Sequence, residues 1–292
     1  MNNFRKDRKR KGRVSARLRR LTVFVLTAAL LLSLSGCGST EWEYHPITDV
    51  NNLEGRRVAV NMAWEADFLL SGRTDLTVVR YDSFADIILA LKYNKVDAFA
   101  VDTLVWKLFK INSSGLSRVE PACGTVGYSI YLKADREDIL QEFNEFLVGY
   151  RESEEYADHL RRLDEFDGYE YVGPEIPLTG TGEVLKVALL TDGYPRSYAE
   201  PGEEPTGYDV EALKYFANEK NYQLDFSPTN YDDAIYGLQG DVYDLAVGYL
   251  SNIYQKEIEA VGLLVSDAMD VTPIYFVEKT KEDISVDLDT IE

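Results

Sequence analysis

The chain has 292 residues, 45% of them hydrophobic, and a net charge of −19. That apolar share supports a packed globular protein, and the acidity disfavours phosphate backbones and anionic headgroups, so nucleic acid is not an expected partner. The two histidines, His45 and His159, stand far apart in unrelated contexts, which leaves little material for a metal site, a His-based catalytic centre or a cofactor.

The first 20 residues carry ten Lys and Arg and one acid, Asp7, and an uncharged stretch of 16 residues follows, Leu21 to Gly36. A membrane-spanning helix needs ~20 apolar residues, so this shorter stretch, ending in small residues, reads as a signal peptide over residues 1–36. Leu34-Ser35-Gly36-Cys37 resembles the lipobox of bacterial lipoproteins, which implies acylation of Cys37 and cleavage before it. The alternatives are an ordinary signal peptide or a signal anchor. Cleavage leaves 21 basic residues against 49 acids, a net charge of −28. A surface this acidic cannot hold a membrane by charge, so lipid must do the anchoring on the extracytoplasmic side. Only Cys123 then remains, and no intramolecular disulfide is possible.

Residues 37–52 read as lipidated cysteine and polar tether. Strand-type runs follow at Arg57–Val60, Thr77–Tyr81 and Asp97–Val101, with a helix before the last of them, capped by Ser83 and apolar at Ile87, Ile88, Leu91 and Tyr93. A strand at Tyr128–Leu132 leads to two acidic amphipathic helices, at about 136–150 and 153–165. The breaker-rich segment 171–183 reads as a linker. The second half repeats the logic, with strands at 185–190, 223–226 and 243–248 and a helix from about 209 to 220. Alternating strands and helices indicate mostly parallel sheets. The expected fold class is α/β, with two lobes, 53–170 and 184–292, and a small-molecule cleft between them.

Gly207-Tyr208-Asp209-Val210 is similar to the Gly-aromatic-Asp-Val segment in the first lobe of amino-acid-type periplasmic solute-binding proteins. Tyr194-Pro195 resembles that family's Tyr-Pro-Pro-Phe loop, Tyr231 its aromatic before the next helix, and Val265-Ser266-Asp267 its Phe-Ser-Asp. In the N-terminal half, Leu53–Val60 resembles the start of the family's second lobe, and Lys95-Val96-Asp97-Ala98 through Asp102 its Lys-Val-Asp-Ala run. The lobes stand in reversed order, which fits either a circular permutation or a piece of a longer tandem protein.

The resemblance implies a ligand site. Asp102 takes the place of the family's ammonium-binding aspartate; a helix cap is its ordinary alternative. Ser251 matches a carboxylate-binding Thr or Ser, and Lys256 falls where the family has Arg, a change that loses the two-pronged guanidinium contact. Arg196 could supply that fork or stand as an exposed loop charge. Tyr194 and Tyr231 match aromatics that sandwich the ligand side chain, or serve as packing. The family's small-residue turn is replaced by Asn61-Met62-Ala63-Trp64-Glu65, where Trp64 either lines the cleft or covers the core.

The expected function is that of a monomeric, lipid-anchored solute-binding protein. It would bind an amino acid or a relative and serve an ABC permease with its ATPase. A surface sensory module with a decayed site, or a dehydratase-like enzyme on the same fold, are the alternatives.

Overall fold

A computed structural model of the protein describes residues 45–111, 113–191, 193–199, 202–280 and 284–286. The signal segment and Cys37 lie outside these residues, and among the described residues no helix is long and apolar enough to cross a membrane. The first half runs β1 (Arg56–Asn61), α1 (Glu65–Leu70), β2 (Leu76–Tyr81), α2 (Phe84–Lys92), β3 (Ala98–Asp102), α3 (Thr103–Ile111), β4 (Ser113–Ser114), β5 (Leu116–Arg118), β6 (Gly124–Tyr128), β7 (Tyr131–Leu132), α4 (Glu137–Tyr150) and α5 (Glu154–Glu165). The second runs β8 (Val184–Leu190), α6 (Tyr208–Lys220), β9 (Gln223–Thr229), α7 (Tyr231–Gln239), β10 (Leu245–Val247), a 3-10 turn (Asn252–Tyr254), α8 (Gln255–Ala260), β11 (Leu264–Val265), β12 (Asp270–Lys279) and β13 (Ser285–Val286).

These elements form the expected α/β class with two principal sheets, ordered β2-β1-β3-β12-β5 with β6 also on β12, and β11-β7-β10-β8-β9. Strands β1, β2 and β3 are mutually parallel, as are β8, β9 and β10, while β12 and β7 run antiparallel to their neighbours. Period-two alternation lets each sheet bury both faces. Val58 and Val60 face a cluster containing Leu70 of α1, whereas Ala59 faces Ile87, Ile88 and Leu91 of α2; Tyr93, expected on that face, follows the last turn of α2 and is exposed. Likewise Val187 and Leu189 pack with Phe143 and Phe216, and Ala188 and Leu190 with Leu238 and Ile258. Ser83 caps α2 as its position suggests, accepting a hydrogen bond from the Asp86 amide at 3.2 Å.

The sheets do not divide at segment 171–183. The chain leaves the first sheet at Tyr128 and enters the second at Tyr131, so the run read as one strand, Tyr128–Leu132, is shared between the two. It returns after Val265, and β12 completes the first sheet between β3 and β5. The first lobe is therefore built from 53–128 together with β12, and the second from 131–265. Helices α4 and α5, which the sequence places with the first half, follow the crossing, and Phe143 and Leu147 of α4 pack on Val187, Leu189 and Phe216. Periodicity fixes which face of an element is buried but not which sheet receives it, and this is why the boundary differs. The chain thus passes between the two sheets at Ser129-Ile130 and again at 266–269.

Candidate ligand-binding site

The lobes meet at the C-terminal ends of β1, β3, β8 and β10, the usual location of a site in open α/β sheets. Asp102 ends β3 in the first lobe and is buried. Its Oδ1 accepts the Leu104 and Val105 amides at 2.7 and 2.9 Å, so it caps α3. Its Oδ2 turns into the cleft and accepts the Tyr249 hydroxyl at 2.6 Å. Asp102 thus caps α3 with one oxygen and turns the other toward Tyr249.

Tyr249 is positioned by the chain that precedes it. Gly248 has φ +114° and Tyr249 φ +54°. A Cβ on Gly248 would lie 2.2 Å from the Ser197 Oγ, so only glycine fits where β10 turns toward the first lobe. The Tyr249 amide donates to Asp209 Oδ2 at 2.8 Å, and its ring lies 5.0 Å from that of Tyr128. Burial raises the Tyr249 hydroxyl pKa well above its ordinary value, and Asp102 and Glu65 add to this, so the group is a proton donor at neutral pH. A second contact closes the cleft nearby. The Tyr254 hydroxyl donates to the Ala63 carbonyl at 2.8 Å, and the Tyr254 ring meets Phe68 edge-on at 4.6 Å.

Trp64 lines the cleft and does not cover the core. It is 41% exposed, edge-on to Phe84 at 5.3 Å and tilted toward Tyr249 at 6.5 Å. Next to it, Glu65 opens α1 and is only 7% exposed. Burial pushes its carboxyl pKa up to about 7; its own backbone amide works against this, and the neighbouring Asp102 adds to it. The Ala63 amide, at φ +62°, donates to Asp67 Oδ2 at 3.1 Å. Between these groups lies a cavity of about 10 Å³, lined by Asn61, Trp64, Glu65, Phe84 and Asp102 among others. That is about the volume one water molecule requires, so admitting a solute requires the lobes to part.

The remaining residues expected at the site lie elsewhere. Arg196 is 0% exposed, not a loop charge in solvent. Its guanidinium bonds Asp209 Oδ1 at 2.7 Å, Asp270 Oδ1 and Oδ2 at 2.9 and 3.0 Å, and Thr272 Oγ1 at 2.7 Å, and it stacks on the Tyr128 ring at 3.5 Å. Burial alone would lower its pKa, but Asp270 and Asp209 more than reverse that. Arg196 joins the loop after β8 to β12 and α6 beside the crossings, and its fork is consumed there. A Cβ on Gly207, φ +115°, would come within 2.4 Å of the Arg196 carbonyl, so glycine permits α6 to start against this loop.

Ser251 is buried, its Oγ accepting the Ile253 amide at 3.2 Å and its carbonyl accepting the Tyr131 hydroxyl at 2.5 Å. Lys256 is exposed on α8. Tyr194 packs with Phe166 and Tyr198, its hydroxyl accepting the Tyr171 amide at 2.6 Å. Tyr231 begins α7 at 41% exposure. Of the expected set, Asp102 and Trp64 come together in the cavity lining, and Glu65, Phe84 and Tyr249 complete the site.

No curated protein matches the chain. Among solved structures it is similar to the GluR0 ligand-binding core in complex with L-glutamate, at 14% identity over 78% of this chain and 85% of that one, TM-score 0.37. It is similar to a probable amino-acid ABC transporter extracellular-binding protein from Bacillus subtilis, at 10% identity over 78% and 84%, TM-score 0.39. It is also similar to an ancestral amino acid-binding protein, a precursor of cyclohexadienyl dehydratase, at 14% identity over 77% and 82%, TM-score 0.37. The model of one protein family matches residues 185–282, which hold β8 through β12 and the Arg196 and Tyr249 loops. That family is the bacterial extracellular solute-binding proteins, family 3, to which this segment is similar.

Proposed function

We propose that the chain is an extracytoplasmic receptor, tethered through Cys37, that closes its lobes on a small polar solute bearing an ammonium group and presents it to an ABC permease and its ATPase. One observation carries this reading. Asp102 of the first lobe meets Tyr249 of the second across a cleft spanned by two chain crossings, and Ala63 meets Tyr254 beside it. Such contacts can break and re-form as lobes hinge, and a ligand ammonium fits the Asp102 oxygen that Tyr249 now holds. Thermal denaturation of the full chain against amino acids, amines and related solutes tests it. A receptor gains about 2.7 kcal/mol at a solute concentration of 100 Kd, so at least one solute raises the midpoint clearly. A flat response to every solute contradicts transport and favours a surface module whose cleft is filled by its own Tyr249.

A second reading, an enzyme of the dehydratase type, is favoured by Glu65. It is a buried carboxyl group with its pKa raised to about 7, facing the cleft beside Asp102, and such a pair suits proton transfer. Incubating the full chain with each stabilising solute and weighing the products by mass spectrometry tests this. Loss of water from a solute establishes catalysis, and an unchanged solute supports the receptor.

A further inference from the structure

The charges around the cleft are one-sided. Among the described residues, the cavity lining contains two carboxyl groups, Glu65 and Asp102, and no Lys, Arg or His. The cations that might have faced a ligand carboxylate are committed elsewhere. Arg196 is enclosed by Asp209 and Asp270, Arg80 is bridged to Asp67 at 2.8 Å, and Lys256 stands on the exposed face of α8. At the start of α1, where backbone donors could have taken an anion, Asp67 already accepts the Ala63 amide.

Glu65 supplies the independent sign of a missing partner. Its side chain is almost entirely withdrawn from solvent and lines the cavity with its own backbone amide as partner and no cation paired to it, whereas the other buried acids of the cleft region are engaged by other residues: Asp67 by Arg80 and Ala63, Asp102 by Tyr249, Leu104 and Val105, and Asp209 by Arg196 and Tyr249. A buried carboxyl group facing a second one resists ionisation, and a cation arriving between them offsets that cost. Around it the rings of Trp64 and Phe84 stand edge to face at 5.3 Å, with Tyr249 at 6.5 Å from Trp64. Carboxylates inside an aromatic wall are the combination that recognises ammonium groups.

We propose that the cleft selects a small organic ammonium ion without a carboxylate, held by Glu65 and Asp102 against Trp64 and Phe84 after the Tyr249 hydroxyl withdraws. An α-amino acid would bring its carboxylate to a wall that offers acids and no free cation. The inference rests on the receptor reading above and narrows its solute class.

Calorimetric titration of the full chain with choline and with putrescine, beside glycine and L-glutamate at matched ionic strength, tests it. Saturable binding of choline or putrescine, with glycine and glutamate at least about tenfold weaker, is expected, a factor corresponding to about 1.4 kcal/mol. Glu65→Gln should weaken the cation about tenfold or more while keeping a cooperative melt. Trp64→Leu, at a half-exposed position that tolerates change, should weaken choline severalfold and serves if Glu65→Gln does not fold. Binding of glycine or glutamate with neither cation bound overturns the inference and leaves the receptor standing. Binding of nothing overturns both, and cation binding unaffected by either substitution places the ion outside the cleft and overturns the inference alone.

Discussion

Tyr249 of the second lobe donates its hydroxyl to Asp102 of the first at 2.6 Å, so the chain itself occupies the oxygen to which a solute ammonium would bind. The contact is both a clasp between lobes and a competitor. Tyr249→Phe removes one net hydrogen bond, worth about 1 kcal/mol, and is expected to lower the melting point while tightening solute binding severalfold. Melting curves and calorimetry on the same variant check both signs; weaker binding would show that the hydroxyl contacts the solute.

Lys256 falls where the resembled family has Arg and Arg196 could supply the fork that lysine lacks; their surroundings separate the two. Arg196→Ala leaves Asp209 and Asp270 buried without their shared cation and is expected to cost about 3–5 kcal/mol. Lys256→Ala, on an exposed helix face, should stay within about 0.5 kcal/mol. Urea denaturation of the two variants checks this ranking, and equal effects would contradict it.

Glu65 makes stability depend on pH in a stated direction. Its folded-state pKa of about 7 lies above the ordinary 4.5, so the folded chain binds the proton more tightly than the unfolded one. Its contribution is fully present below the ordinary value and is lost as pH rises to about 7, at ~1.4 kcal/mol per unit of displacement, on the order of 3 kcal/mol in all. Asp102 raises this value further, Arg196 opposes it, and Tyr249 and Tyr254 stand nearby. Glu65→Gln should therefore gain stability relative to the native chain between pH 5 and pH 8, measured by urea titration at both. A constant difference across that range would contradict the shift.

Tyr254 should control how far the lobes part. Tyr254→Phe keeps the edge contact with Phe68 and removes the bond to the Ala63 carbonyl, so at about 1 kcal/mol the closed-to-open ratio falls roughly fivefold. Small-angle scattering should report a larger radius of gyration for the solute-free variant than for the native chain. An unchanged radius would mean that other contacts set closure.

Much of the architecture was legible because it is local. Ser83 as a cap, Val58 and Val60 opposite Ala59, and the alternation of Val187 to Leu190 follow from periods of 2 and 3.6 that a linear reading detects. Which sheet takes Tyr131, or that β12 completes the first lobe, depends on pairings more than a hundred residues apart and leaves no periodic trace. The site divides the same way. Asp102 stands at a strand end and was visible, whereas Glu65 matters only because Asp102 and Trp64 fold beside it. One signal for the cleft's second wall was present, Gly248 before Tyr249, since a glycine that turns a strand end aims the residue after it. Neither a ligand fork nor an exposed loop charge describes Arg196, because a charge in a Pro-containing loop carries no mark of the aspartates that bury it.

A receptor of this design binds one solute between its lobes at Asp102. Calorimetric titration of the full chain with its most stabilising solute, beside Asp102→Asn, measures this. One site per chain is expected, with at least about tenfold weaker binding in Asp102→Asn, the effect of losing a charge-assisted contact. Equal affinity in the two proteins, or no binding by the native chain, would contradict it.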